Sequence, residues 1–152
     1  MKRKHGAHHF RESGLSNVWI ADLESHHCTR CDNVEYVFPR IESLLRIIAE
    51  AVIHKPPRLR GEEVRFLRKT LGWSGVDFAR HMGVAVETVS RWETDAAPIG
   101  PQADRLLRLL VAQGHLTTAY PTDRLRQIDA SRATAPRLTL EATRTSWRLK
   151  TA

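Results

Sequence analysis

A chain of 152 residues suits one compact domain or two very small ones, and its 41% hydrophobic content allows a modest core. A formal charge of +7 favours anionic partners, nucleic acid first. No apolar run approaches the ~18 residues of a membrane span, and the basic start Met1-Lys2-Arg3-Lys4-His5 is not followed by an apolar signal segment, so a cytoplasmic protein is expected.

The charge is unevenly spread. Residues 1–57 hold 8 basic and 7 acidic side chains, residues 58–112 hold 9 and 7, and residues 113–152 hold 7 and 3. Up to about residue 38 the chain reads as short strands and turns. Asn17-Val18-Trp19-Ile20-Ala21 and Val34-Glu35-Tyr36-Val37-Phe38 are β-branched and aromatic, and they flank a cysteine turn, which suits a small hairpin. After Pro39, the spacing of Ile41, Leu44, Leu45, Ile48 and Val52 predicts an amphipathic helix ending near His54. Its apolar face either packs the hairpin or forms a surface for a partner. Pro56-Pro57 marks a domain boundary.

Residues 58–114 read as all-helical. Glu62 and Glu63 favour the first turn of a helix whose buried stripe is Val64, Leu67 and Leu71, and Gly72 ends it. Ser74 caps a second helix reaching Met82, Gly83 breaks it, and a third covers roughly Val86–Glu93. Pro101 opens a fourth, with Leu106, Leu107 and Leu110 as its stripe up to Gly114. Residues 115–152 read as a basic, partly ordered tail, helical only around 123–128. The expected fold is therefore mainly α: a helical domain preceded by a small hairpin and a linking helix.

Two helices meeting across a short turn need a small residue at their contact, glycine at the turn and apolar side chains facing the core. Ala79, Gly83 and the set Phe78, Met82, Val84, Val89 and Trp92 meet those needs. The outer face is left to Glu87, Thr88, Ser90 and Arg91. Leu71-Gly72-Trp73-Ser74, Phe78-Ala79, Met82-Gly83-Val84, Thr88-Val89-Ser90-Arg91-Trp92-Glu93 and Pro98 resemble the Cro/Xre class of helix-turn-helix domains. That resemblance implies a five-helix fold that binds operator DNA. Gly75 departs from the family, which usually has glutamine there, and Ala85 stands where Ser or Thr often caps the recognition helix.

In the major groove, Arg91 would bond a guanine, Glu87 would accept from a cytosine and Thr88 would touch a base or a phosphate. Ser74, Arg80, Ser90, Arg68 and Lys69 are the candidate phosphate contacts. Glu87 has the alternative of serving only the helix dipole, and Ser90 that of bonding backbone. The tail arginines Arg124, Arg126, Arg132, Arg137, Arg144 and Arg148 either add phosphate contacts or are solvated. The expected partners are double-stranded DNA and a second copy of the chain, since one module reads few bases.

Cys28 and Cys31 are the full thiol inventory, and a CxxC turn supplies half of a tetrahedral zinc site. The other half would come from histidine, His8 and His26 being the candidates among His5, His8, His9, His26 and His27. Glu12-Ser13-Gly14-Leu15-Ser16-Asn17-Val18, Cys28-Thr29-Arg30-Cys31 and Pro39-Arg40-Ile41-Glu42 resemble the antitoxin family that joins a YgiT-type zinc finger to a Cro/Xre domain. The resemblance implies a toxin partner and autoregulation as an alternative to a plain repressor. That family normally carries a second CxxC near its N-terminus, which this chain lacks. Paired carboxylates, a nucleophile elbow, a phosphate-cradling glycine loop and an HExxH helix are missing from the sequence, so an enzyme is not expected.

Overall fold

A computed structural model describes residues 1–115 and 135–150. They fall into two compact units, Met1–Ile47 with Pro136–Ala152, and Ile48–Ala135.

The first unit is built on a mixed five-stranded sheet. Strand β1 (Lys2–His9) pairs antiparallel with β2 (Val18–His27). The other edge of β2 is shared: its C-terminal half pairs antiparallel with β3 (Val34–Val37), and Val18–Ile20 pair in parallel with β4 (Leu138–Ala142). Strand β5 (Trp147–Leu149) closes the far side as a hairpin with β4.

On β2 the buried positions are Val18 and Ile20, then Leu23 and Ser25. This change of parity coincides with a bulge, where Gly6 faces Leu23 but His8 faces Ile20. One extra residue on β2 turns the inward face from even to odd positions. Phe10, Leu15, Leu140 and Trp147 complete the core of this unit. The start of helix α1 (Ile41–His54) is tied to the β4–β5 turn. Arg40 donates to the carbonyls of Thr143, Arg144 and Ser146, and Trp147 Nε1 donates to Pro39 O at 2.7 Å.

The second unit takes the last two turns of α1 and the helices α2 (Gly61–Thr70), α3 (Gly75–Met82), α4 (Val86–Glu93) and α5 (Pro101–His115). Helix α2 packs on α4 and α5, and α3 packs on α4. Val64, Leu67, Phe78, Val89, Ile99, Leu107 and Val111 are buried among them.

The segment between α1 and α2 is fixed by buried charge. Arg108 donates to Asp104 at 2.6 Å and to the carbonyls of Ile53, Lys55 and Pro57, while the other Asp104 oxygen accepts from Leu59 N. Lys55 Nζ lies 2.7 Å from Glu63, whose side chain is also buried. Burial pushes the Lys55 ammonium below its ordinary range, with Glu63 opposing the shift.

The expected mainly α class with a small hairpin is corrected by this sheet: five strands stand beside five α-helices among the described residues, and the protein is mixed α/β. Strand β1, Lys-Arg-Lys-His-Gly-Ala-His-His, has six of its eight residues exposed, so no apolar alternation marks it. Strands β4 and β5 lie within the residues read as tail, and β4 is held by a partner 120 positions away (Ile20 against Leu140). The helix expected around 123–128 lies outside the described residues. No described helix is long and apolar enough to cross a membrane.

Candidate nucleic-acid interface

Helices α3 and α4 are set by their ends. Ser74 caps α3: its hydroxyl accepts from Asp77 N at 3.1 Å and donates to the Asp77 carboxylate at 2.6 Å, while Ser74 N donates to the same carboxylate. This reciprocal box satisfies donors at the helix start. Gly83 ends α3 at φ 64°, a left-handed conformation that glycine takes without a Cβ penalty. Ala85 opens α4 with no side-chain cap.

The Ser74 hydroxyl, followed by its N–H, holds the Asp77 carboxyl below its usual range. The folded state therefore favours the carboxylate. Its contribution is complete above the unfolded value of ~3.9 and is lost as pH falls through the lower folded value. Asp77→Asn should melt below wild type at pH 7, and the gap should close as pH drops from about 4 toward 2. A gap in melting temperature that stays constant with pH would contradict this assignment.

Exposure divides α4 cleanly. Val89 and Trp92 are buried, as are Phe78 and Ala79 on α3. Glu87, Ser90 and Arg91 are exposed, and Thr88 is half-buried. The side chains of Glu87 and Arg91 make no ion pair or hydrogen bond among the described residues. Arg80 and Lys69 are also exposed.

Arg68 stands apart from this set. It bonds Glu93 at 2.5 Å and Trp73 O at 2.7 Å, and its side chain is only 12% exposed. Arg65 adds contacts to the Glu93 carboxylate and carbonyl. Both arginines fasten α2 to the end of α4. A second fastening is steric: a Cβ on Gly61 would lie 2.7 Å from the carbonyl oxygens of both Trp92 and Glu93. Gly61 N donates to Asp95 Oδ1 at 2.8 Å.

No protein-family model matches the chain, and no curated protein or solved structure matches it either.

The arrangement gives a helix end with exposed groups of mixed character, able to meet a polar groove edge. Sequence reasoning passed over Val76 and Val86, which are 45% and 43% exposed. Position gave no signal for Val86, because its three-residue spacing from Val89 reads as part of the buried stripe.

The proposed metal ligands are dispersed over the first unit. Cys28 and Cys31 lie in the turn between β2 and β3, with Cys28 N donating to Asn33 O and Arg30 N to Cys28 Sγ at 3.4 Å. The Arg30 N–H, then the Cys31 thiol and amide, hold the Cys28 thiol below its ordinary range. His26 bonds Glu24 at 2.8 Å. His8 bonds Glu12 and packs on Tyr36. His8 faces Ile20, on the order of 25 Å along the sheet from Cys28 at the usual rise per residue. The two cysteines would supply half of a zinc site, and the structure does not bring His8 and His26 to them. Of the tail arginines, Arg137 lies over the Trp19 ring and Arg148 pairs with Glu141, Arg144 is exposed, and Arg124, Arg126 and Arg132 lie outside the described residues.

Proposed function

We propose that the protein is a sequence-specific DNA-binding transcriptional regulator, a repressor that acts as a homodimer and reads its operator with the first turns of α4. The observation that carries this reading is the split of α4 into a buried Val89/Trp92 stripe and an exposed Glu87/Ser90/Arg91 face, held by a glycine turn after a capped α3.

Arg91 bonds a guanine edge, Glu87 accepts from a cytosine amino group, and Thr88 touches a neighbouring base. Val86 meets a thymine methyl, for which an exposed branched side chain is suited. Arg80, Lys69 and Ser90 take phosphates, whereas Ser74, whose hydroxyl and N–H both donate to Asp77, serves as the α3 cap and Arg68 positions α4 through Glu93. Two copies set their recognition helices ~34 Å apart, about one turn of duplex.

The test is binding to the DNA upstream of the protein's own gene against a scrambled duplex, across a salt series. Arg91→Ala should lose roughly 10–100-fold of specific affinity, the worth of one bidentate contact, and keep weak salt-dependent binding. Unchanged operator affinity in Arg91→Ala would discard this orientation of α4. Equal weak binding of both duplexes by wild type would discard the reader altogether and direct attention to a protein partner.

A further inference from the structure

The donors at the β2–β3 turn do not complete a metal site. A structural zinc takes four ligands. Cys28 and Cys31 are the only thiols of the chain, and the neighbouring His26 and His27 bond Glu24 and Ser25. The described residues hold no group of three or more His, Cys, Asp or Glu side chains placed to bind a metal. What the turn does hold is two thiols within reach of each other.

Cys28 Sγ accepts from Arg30 N–H at 3.4 Å, and the Cys31 thiol and amide reach the same sulfur. Cys31 is exposed and Cys28 half-buried. Both line an open groove of about 340 Å³, at the small end of ligand sites. Lys2 and Lys4 line it too, and Asp32 is the one carboxylate among the lining residues. Lys2 stands opposite His27, the residue before Cys28, and Arg30 is exposed beside them. Cationic, partly exposed surroundings of this kind mark reactive cysteines rather than inert ones.

We propose that Cys28 and Cys31 form a dithiol–disulfide pair that reacts with small anionic disulfides, Cys28 attacking and Cys31 resolving. The Cys28 sulfur attacks one sulfur of a disulfide RSSR, which forms a mixed disulfide and releases one RS⁻. The Cys31 sulfur then attacks Cys28 Sγ, breaks its bond to R, closes the Cys28–Cys31 disulfide and releases the second RS⁻. The protons of the two cysteine thiols end on the two released thiolates. The pair is thus oxidised by two electrons, and one small disulfide is reduced to two thiols. The lysines draw the anionic reagent into the groove.

This chemistry is separate from DNA binding, so the test uses no DNA. Reduced full-length protein is treated with oxidised glutathione, which is anionic, or with neutral hydroxyethyl disulfide, while free thiols and intact mass are followed. Wild type should lose both thiols, keep no glutathione and remain a single chain, and a dithiol reductant should restore it. Cys31→Ser should stop at the mixed disulfide on Cys28, and Cys28→Ser should react more slowly. Lys2→Gln combined with Lys4→Gln should slow the reaction with oxidised glutathione by about tenfold at low salt and leave that with hydroxyethyl disulfide unchanged. A merely structural effect of the lysines would slow both, and circular dichroism checks the fold of each variant.

Glutathione that stays attached to wild type, or a disulfide joining two chains, would overturn the proposal. So would a bound zinc ion that keeps both thiols from reacting until EDTA removes it. Equal rates for the two single-cysteine variants, or lysine variants that react with both reagents as wild type does, would overturn it as well.

Discussion

Arg108→Ala should destabilise the helical unit by about 3–5 kcal/mol, the usual cost of removing one member of a buried ion pair. The guanidinium is fully buried and joins four acceptors at once: Asp104 and the carbonyls of Ile53, Lys55 and Pro57. Truncation leaves Asp104 charged and half-satisfied, with only Leu59 N still donating to it. It also strips a donor from three backbone oxygens, one in the last turn of α1 and two in the linker that follows it. A drop of roughly 10 °C in melting temperature should accompany the loss. The double variant Asp104→Leu, Arg108→Met should recover part of it, because no lone charge remains, though the three carbonyls still lack their donor. Urea denaturation of the three proteins measures the cycle. A single variant within about 1 kcal/mol of wild type would mean that the buried pair is not what holds the linker.

Gly61→Ala should cost about 3 kcal/mol, at the upper end of ordinary overpacking. Helix propensity alone argues the opposite sign, since alanine is better than glycine in a helix by ~1 kcal/mol. Sterics decide the matter. The added methyl would stand 2.7 Å from two carbonyl oxygens at the end of α4, and neither can swing away as a side-chain tip would. Helix α2 must therefore retreat from α4, which weakens the Gly61–Asp95 bond and the Arg65 and Arg68 contacts to Glu93. Hydrogen exchange should show faster opening of α4 amides in the variant, with the first unit unaffected. A variant more stable than wild type would show that propensity outweighs the contact.

The helices were legible because their signals are local. Ser74, Gly83 and Pro101 punctuate the chain, and the spacing of Phe78, Val89 and Trp92 places α3 and α4 with their buried sides correct. Helix α5 shows the limit of that reading. Leu106 was placed in the buried stripe, yet it is 39% exposed, and the buried positions include Asp104 and Arg108. A charged pair four residues apart normally reads as a solvated face. Only the carbonyls of the distant linker reveal why this one is inside. The same reasoning explains Arg68, which resembles any surface cation in sequence until Glu93, 25 positions later, is brought beside it. The sheet was opaque for a further reason. Its β1 is an edge of basic and histidine side chains, a composition that protects an open edge but carries no strand pattern.

The parallel pairing of β2 with β4 has a consequence for how the protein is made. When Val18–Ile20 leave the ribosome, the strand that will cover them is 120 residues away from translation, roughly 6–24 s at ordinary elongation rates. The helical unit is encoded within that interval and forms first, because its contacts are local. Meanwhile the Val18–Ile20 stretch of one β2 edge stays bare, a template for wrong partners on neighbouring nascent chains. Premature termination after His115 and before Leu138 would thus release a product with its helices α2–α5 complete and a sticky sheet, prone to co-aggregate with full-length protein.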